Sequence, residues 1–354
     1  HLRIGLIMAY STIIKPNTNF TPTIYTGTGS AQSITSLDFQ PDLVWLKGRS
    51  VAYNHRLYDS IRGAGTKLSS DTTSAESTDT NEMSAFLSNG FTLGSDAGTN
   101  GSGATYASWN WKAGGTASSN TDGTITSSVS ANTDSGFSIV SFTGNGVTGA
   151  TVGHGLGVKP AMIILKTRSN AVTSWAVYHQ SLGATKYLTL NLTNASTTSN
   201  TRWNDVEPTS SVFSLGSSGD VNTSSATIIA YCFAEKKGFS KMGSYVGNGS
   251  ADGTFVYTGF KPAFIMLKKS SASGNNWQIR DNKRQGYNAT TGLLKPNKND
   301  AEQNTDNIDL LSNGFKQRNL AGDDNTSGAT YIYMAFAENP LVANTSGGIP
   351  TTAR

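Results

Sequence analysis

The sequence predicts an all-β protein of three tandem β-sandwich modules, of the jelly-roll or lectin-like kind, joined by short connectors. Two observations lead to this prediction. Four sequence landmarks occur three times along the 354 residues at a similar spacing. The repeated stretches are short runs of β-branched and aromatic residues bounded by Gly, Asn and Ser turns. A repeat of this length is too long for a solenoid unit and suits a small domain with its own core.

The first two landmarks are a glycine turn and a proline-led strand. An aromatic residue stands two positions before a pair of glycines in Tyr25–Gly29, Phe142–Gly146 and Tyr245–Gly249. A run that starts with proline and ends with lysine follows in Pro41–Lys47, Pro160–Lys166 and Pro262–Lys268. The three prolines are 119 and 102 residues apart. Because these runs are almost wholly apolar, we expect central strands that are covered on both faces.

The other two landmarks are an alternating segment and a phenylalanine followed by an Asn-led turn. The alternating segments are His55–Asp59, Trp175–His179 and Trp277–Asp281. In the last of these the alternation predicts a strand with one wet face. The phenylalanines and turns are Phe91 with Asn100–Tyr106, Phe213 with Asn222–Ile228, and Phe315 with Asn325–Tyr331. Thr105, Thr227 and Thr330 are 122 and 103 residues apart, so two independent landmarks report nearly the same period.

These landmarks set the predicted boundaries. Residues 1–24 are an N-terminal extension and a candidate anchor, in which Pro16 and Pro22 interrupt any regular element. The modules are residues 25–113, 137–238 and 239–340, and residues 341–354 are a polar C-terminal tail. Residues 114–136 are predicted as a flexible or surface-running linker, because Gly, Ser and Thr cannot bury a face. Modules 2 and 3 meet almost directly, so we expect a fixed relative orientation.

The composition excludes several classes of protein. Only 14% of the residues are charged and the net charge of +4 is spread along the chain, which argues against nucleic acid as a partner. No stretch approaches 18 consecutive apolar residues, so no membrane span is predicted. The single cysteine, Cys232, allows no intrachain disulfide. Its place in an apolar run predicts a buried, unreactive thiol.

Few residues are candidates for catalysis. The four histidines are His1, His55, His154 and His179. His154 lies in a glycine turn and is predicted to cap a backbone carbonyl. His179 takes the position that Asp59 and Asp281 hold in the other modules, so it does not serve a reaction shared by all three. One cysteine and no close histidine pair give no zinc spacing. We therefore predict no catalytic residue, no metal ion and no cofactor.

Aromatic residues are the candidates for binding sugar rings. Trp175 and Trp277 recur at equal positions, which predicts core residues. Trp203 and Tyr287 stand in polar surroundings and have no counterpart in another module. We therefore select Trp203 and Tyr287 as the carbohydrate-binding candidates, and a host-surface glycan as the ligand they would take.

Several stretches resemble a known module family. They are Trp111–Gly115, Asp122–Ala131, Val152–Gly157, Phe239–Tyr245 and Asp281–Arg284. They are similar to a repeated β-module of tail-fibre and other virion surface proteins of marine tailed phages, over about residues 20–340. The resemblance implies an extracellular structural role on a particle, often in contact with the host. It supplies no catalytic residues.

Three functions follow as hypotheses. The first is a non-enzymatic phage virion structural protein, a tail-fibre or a capsid or tail decoration subunit on the virion surface. Its expected partners are other virion proteins, and it is expected to be a homo-oligomer such as a trimer, although three modules in one chain can also imitate a trimer internally. The second is a lectin-like carbohydrate-binding adhesin. The third is a glycan depolymerase, since strands can bring two distant carboxylates together.

Overall fold

The computed structural model describes residues 11–320 and 322–340, with the side chains of residues 306 and 307 left aside. The prediction of an all-β fold made of antiparallel sheets is confirmed. Helical structure within the described ranges consists of a 3-10 turn, Pro16–Thr18, and two single-turn helices, α1 (Ala97–Asn100) and α2 (Gly219–Asn222). No helix there is long and apolar enough to cross a membrane. The predicted tail, residues 341–354, lies outside the described residues.

The part of the chain up to Trp111 forms three sheets. Its strands are β1 (Phe20–Thr26), β2 (Gln32–Ile34), β3 (Leu43–Gly48), β4 (Arg56–Asp59), β5 (Thr66–Lys67), β6 (Ser77–Thr78), β7 (Met83–Leu87), β8 (Gly90–Leu93) and β9 (Thr105–Trp111). They pair in the orders β1-β9-β3-β4, β2-β8-β7 and β5-β6. Pro22 does not interrupt β1, contrary to prediction. Since β1 is an edge strand, the N–H that proline lacks is not needed for the ladder.

The middle of the chain forms an eight-stranded sheet and a two-stranded one. Its strands are β10 (Ser118–Asn120), β11 (Ser127–Asn132), β12 (Phe137–Thr143), β13 (Thr151–Gly153), β14 (Met162–Thr167), β15 (Ala176–His179), β16 (Lys186–Thr189), β17 (Thr197–Thr198), β18 (Val212–Ser214) and β19 (Thr227–Phe233). The large sheet has the order β10-β11-β12-β19-β14-β15-β16-β17, and β13 pairs with β18.

The last part forms two four-stranded sheets. Its strands are β20 (Ser240–Val246), β21 (Phe255–Tyr257), β22 (Phe260–Lys269), β23 (Gln278–Asp281), β24 (Thr290–Leu293), β25 (Gln303–Leu311), β26 (Gly314–Gln317) and β27 (Thr330–Pro340). The orders are β20-β27-β22-β23 and β21-β26-β25-β24.

One four-strand order occurs three times, as β1-β9-β3-β4, β12-β19-β14-β15 and β20-β27-β22-β23. The proline-led runs form β3, β14 and β22, which lie inside these sheets and are buried along their whole length. This burial confirms their prediction as central strands covered on both faces. We number the modules 1 to 3 by the predicted boundaries.

The three repeated sheets meet at an approximate threefold axis. Trp111, Phe233 and Phe336 occupy the same position, the seventh residue of β9, β19 and β27. Their ring centroids form a nearly regular triangle with sides of 5.7, 6.0 and 6.1 Å. One hydrophobic cluster continues through all three sheets from this triangle. Modules 1 and 2 each have a further cluster of their own. The expectation of separate cores is therefore only partly right, because one face of each repeated sheet packs against the other two modules.

The predicted flexible linker, residues 114–136, is ordered structure. It contains β10 and β11, which extend the sheet from β12. The flexible alternative was wrong because two apolar residues suffice to anchor a hydroxyl-rich segment. The surface-running alternative agrees with the structure, in which most of residues 114–126 are exposed. Ile125 and Val129 are 7% and 5% exposed and belong to the core of module 2. Ile125 also forms a parallel bridge with Val152 in β13, so the segment covers the edge of that strand.

The first and last landmarks of each module contact one another. In module 2 the buried side chain of Asn222 accepts hydrogen bonds from the backbone N–H groups of Asn145 and Gly146 at 3.0 and 3.3 Å, and donates to the carbonyl of Val147 at 2.9 Å. Asn100 and Asn325 bind the equivalent turns in modules 1 and 3. This contact explains why an Asn-led turn accompanies a glycine pair in every copy.

Candidate functional site

Trp203, one of the two carbohydrate-binding candidates, is not available to a ligand. Its side chain is 1% exposed and belongs to the core of module 2. It packs edge-on against Tyr178 at a centroid distance of 6.0 Å. Its polar sequence neighbours led to the wrong prediction, since a turn can direct one large apolar side chain inward while the residues beside it face solvent.

Tyr287, the other candidate, is 84% exposed in the loop between β23 and β24. Its ring is therefore accessible to a ligand, as the sequence suggested. Trp175 and Trp277, predicted as core residues, are 0% and 1% exposed. The cysteine at position 232 is fully buried, and burial raises the pKa of its thiol well above the ordinary range. A protonated buried thiol agrees with the unreactive role predicted for it.

The position shared by Asp59, His179 and Asp281 lies at the contact between modules. Tyr231 of module 2 donates its hydroxyl to Asp59 of module 1 at 2.8 Å. Trp109 of module 1 donates its indole N–H to Asp281 of module 3 at 2.9 Å. The ring of His179 in module 2 is 3.1 Å from the carbonyl oxygen of Tyr333 in module 3. Each module is thus joined to the next, and the three contacts close a ring.

This ring also explains why the residue type changes in module 2. The donor at the position of Trp109 and Tyr231 is replaced in module 3 by Met334, which cannot donate a hydrogen bond. An aspartate at position 179 would have no donor opposite it. A histidine there can itself donate to the backbone of the neighbouring strand. The exchange therefore keeps the contact between modules without a buried carboxylate.

A second ring of contacts uses the position of His55, Trp175 and Trp277. Trp175 donates its indole N–H to the carbonyl of Ser69 in module 1 at 2.9 Å. Trp277 donates in the same way to Thr189 in module 2 at 3.0 Å. His55 closes this ring with Nε2 at 2.9 Å from the carbonyl of Lys295 in module 3. These residues are therefore structural elements of the boundaries between modules.

The described histidines share one hydrogen-bonding pattern. The Nδ1 atoms of His55, His154 and His179 accept from an indole or backbone N–H, because those groups can only donate. Each Nε2 therefore carries the proton and donates to a carbonyl. The cap predicted for His154, on the carbonyl of Thr209, is confirmed. Burial lowers the pKa of all three rings, that of His179 to about 4. They are neutral at pH 7.

We expect this pattern to make the fold sensitive to mild acid. The folded pKa values lie below the unfolded value near 6.5, so the unfolded chain binds protons first as the pH falls. The stability that the neutral histidines contribute is therefore complete above pH 6.5 and is lost toward pH 4. The carboxyl of Asp71, whose pKa burial raises to about 6, offsets part of the loss. Urea unfolding at pH 7 and pH 5 should show a loss of roughly 3 kcal/mol.

The matched variant for this prediction is His179→Gln, whose amide can still donate to Tyr333 but does not titrate. Its loss of stability between pH 7 and pH 5 should be about 2 kcal/mol smaller than that of the parent chain. Equal stability of the parent chain at the two pH values would contradict the prediction.

Each proline-led run ends with a buried lysine. Lys47, Lys166 and Lys268 are 0% exposed, and burial lowers each pKa to about 8. Lys166 donates to the carbonyl of Thr73 in module 1 at 3.0 Å, and Lys268 lies 3.4 Å from the carbonyl of Thr193 in module 2. Their ammonium groups are thus held largely by backbone carbonyls. They contribute to the boundaries between modules rather than to an open site.

One acidic cluster has the donor atoms of a metal site. Carboxylate oxygens of Asp79, Glu82 and Asp96 lie within 4.8 Å of one another. Glu82, however, is buried and ion-paired with Arg56 and Lys67. Because its carboxylate is already neutralised by these cations, the cluster does not need a metal ion for charge balance.

A pair of exposed aromatic residues, Phe255 and Tyr257, was not among the predicted binding candidates. Phe255 and Tyr257 lie on one face of β21 and are 45% and 48% exposed. An alternating pattern with a buried valine between them was the available signal. The two residues also lack aromatic counterparts in the other modules, the criterion that selected Trp203 and Tyr287.

Comparison with known proteins gives a family match. The searches of curated proteins and of solved structures each found no match. A family model described as a domain of unknown function, DUF7483, matches residues 15–340. This range runs continuously through all three repeated sheets. The chain therefore belongs to the DUF7483 family.

Proposed function

We propose that the protein is a non-enzymatic structural subunit of a tailed-phage particle, a tail-fibre or decoration protein displayed on the virion surface. The observation that carries the proposal is the closed ring of contacts between modules, through Asp59, His179 and Asp281. It joins three sheets into one body without disulfide bonds. Such a body suits a protein that must remain folded on a particle surface.

Two further features support this role. The side chains best suited to acid–base chemistry, the histidines and the aspartates of the ring, have their polar atoms engaged in contacts that hold the fold. The resemblance to virion surface modules, stated above, covers the same residues that form the three sheets. Both features favour a scaffold that displays loops and surfaces.

The test is to locate the chain on particles. Phage particles carrying this gene should contain the chain by mass spectrometry after density-gradient purification. Antibodies against the folded protein should label the particle exterior in electron micrographs. Particles that lack the chain, or that are labelled only after disruption, would contradict the proposal. A deletion phage complemented with the chain provides the matched control for antibody specificity.

Carbohydrate binding is the second candidate function, favoured by the exposed ring of Tyr287. We expect Tyr287→Ala to abolish binding on a glycan array if that loop holds the sugar, with unchanged unfolding in urea. Trp203→Ala is not an informative partner variant, because removal of a buried indole lowers the stability of the fold by about 3–5 kcal/mol whatever the residue binds. Array signals that are equal for the parent chain and Tyr287→Ala would exclude this loop as the site.

A further inference from the structure

Module 3 exposes apolar side chains where its sister modules carry hydroxyl groups or glycine. Val256 is buried opposite Phe315, as Ile34 is opposite Phe91 and Val152 opposite Phe213. This pairing aligns the three strands residue by residue. The flanking positions are Ser33 and Thr35 in module 1, Thr151 and Gly153 in module 2, and Phe255 and Tyr257 in module 3.

The neighbouring strand shows the same substitution. Val246, at the end of β20, is 54% exposed and occupies the position of Thr26 and Thr143. The hydroxyl of Thr254 donates to the carbonyl of Val246 at 2.7 Å, which holds the residue before β21 against the end of β20. Since the same fold is built twice without apolar groups here, the fold does not require them in module 3. An exposed apolar patch that folding does not require indicates a contact surface.

The patch continues into an open groove with polar walls. The groove has a volume of about 440 Å³ and is lined by Glu235, Lys237, Ser240, Lys241, Tyr257 and Thr258. One aromatic ring, hydroxyl groups and charged groups therefore converge on one concavity. This combination of an apolar surface with a few placed polar groups is typical of small-molecule and sugar sites.

The charge of the groove is positive. The ammonium of Lys241 lies 5.3 Å from the centroid of the Tyr257 ring and donates to the Tyr257 carbonyl at 2.9 Å. Within residues 11–320 and 322–340 no carboxylate forms an ion pair with Lys241. The carboxylate of Glu235, by contrast, already accepts from Gln180 and from the backbone of Met242. An anionic ligand is therefore favoured over a neutral one.

The Tyr257 carbonyl at this edge already accepts a hydrogen bond, which argues against an added β-strand as the ligand. In module 2 the connector covers the equivalent strand, where Ser127 donates to the carbonyl of Gly153 at 2.9 Å. In module 3 the ammonium of Lys241 takes that place on Tyr257. What remains accessible is the pair of aromatic rings and the positive charge beside them.

We propose that Phe255, Tyr257 and Lys241 form a binding site for an acidic polysaccharide, with the rings stacked on sugar faces and the ammonium paired with a carboxylate or sulfate group. Sugar C–H groups are weakly positive and are attracted to the negative face of an aromatic ring. Residues i and i+2 of a strand are about 6.6 Å apart, so the two rings can contact one extended sugar chain. The site goes beyond the particle role and is separate from the Tyr287 loop.

Affinity electrophoresis of the full chain tests this site. Native gels containing polygalacturonate or chondroitin sulfate should retard the protein, and gels containing dextran should not. The double variant Phe255→Thr/Tyr257→Gly carries the residues of module 2 at both positions, so the fold is known to accept them. We expect it to bind at least tenfold more weakly, and Lys241→Gln to bind severalfold more weakly. Val172→Ala, which shortens an 82% exposed side chain of module 2, should match the parent chain.

Several results would overturn the proposal. The first is that neither acidic polymer slows the migration of the protein, and the second is that dextran slows it equally. The third is that the double variant still binds the acidic polymers and that salt abolishes this binding, so that charge alone accounts for it. Sedimentation velocity tests separately whether a second copy of the chain binds this surface. Concentration-dependent dimers that disappear in the double variant would assign the surface to a second copy of the chain instead. Because these assays use purified protein, failure here leaves the particle test unaffected.

Discussion

Replacing Asp59 with asparagine should lower the free energy of unfolding by roughly 3–5 kcal/mol. Asp59 and Arg62 form an ion pair at 2.5 Å in which both side chains are 0% exposed. The same carboxylate accepts the hydroxyl of Tyr231 from module 2. Asparagine keeps the shape but removes the near counter-charge, so the buried guanidinium is left with the carboxylate of Glu76 at 3.9 Å. Urea unfolding followed by the fluorescence of the buried tryptophans measures the loss.

The matched control is Asp59→Asn/Arg62→Leu. Module 2 has Leu182 at the position of Arg62, so the chain itself shows that leucine fits this turn. Removing both charges should recover at least about 2 kcal/mol of the loss, because no unpaired ion remains buried. If the double variant is as unstable as Asp59→Asn, the ion pair is not the source of the effect. The loss would then come from the hydrogen bond to Tyr231.

These contacts mark the limit of what the sequence could predict. Asp59, His179 and Asp281 align at one position of the repeat, and the change of residue type at that position is visible in the sequence. Its structural role depends on a second position, held by Trp109, Tyr231 and Met334, which contacts the first from the neighbouring module. Nothing in a single sequence shows that two positions of the repeat are in contact across a boundary between modules. The threefold arrangement therefore had to come from the structure, whereas the strands themselves did not.

The strands were predictable because their residues satisfy local rules. The proline-led runs are apolar at nearly every position, which only a strand covered on both faces requires. The segment 114–136 shows the opposite case. Its composition is that of a linker, and Ile125 and Val129 become anchors only because the core of module 2 lies beside them. Burial by a distant part of the chain cannot be derived from the composition of a segment.

The candidate binding site was missed for a related reason. Trp203 and Tyr287 were selected because no sister module repeats them, and that criterion was sound in principle. It gave a wrong result for Trp203, because the lack of a counterpart says nothing about whether a side chain faces solvent. It was not applied to Phe255 and Tyr257, because β2, β13 and β21 are too short to align without their partners. Pairing with β8, β18 and β26 supplies that alignment.

Replacing Gly144, in the glycine turn of module 2, with alanine should lower the free energy of unfolding by roughly 2–3 kcal/mol. A Cβ atom at this position would lie 2.3 Å from the carbonyl oxygen of Thr223, a backbone atom that cannot move aside cheaply. Gly27 and Gly247 meet Gly101 and Thr326 in the same way at 2.2 and 2.4 Å. The equal crowding in all modules explains why the glycine recurs. Urea unfolding again measures the change.

Gly286→Ala is the control for this prediction. A Cβ atom there has no other atom within 4 Å, so stability should change by less than about 0.5 kcal/mol. Asn222→Ala removes the side chain that holds the same turn from the other side. It should lower the free energy of unfolding by about 2 kcal/mol. If Gly144→Ala were as stable as Gly286→Ala, the turn would be free to shift away from Thr223. The contact between the first and last landmarks would then not be what fixes the loops at this end of each module.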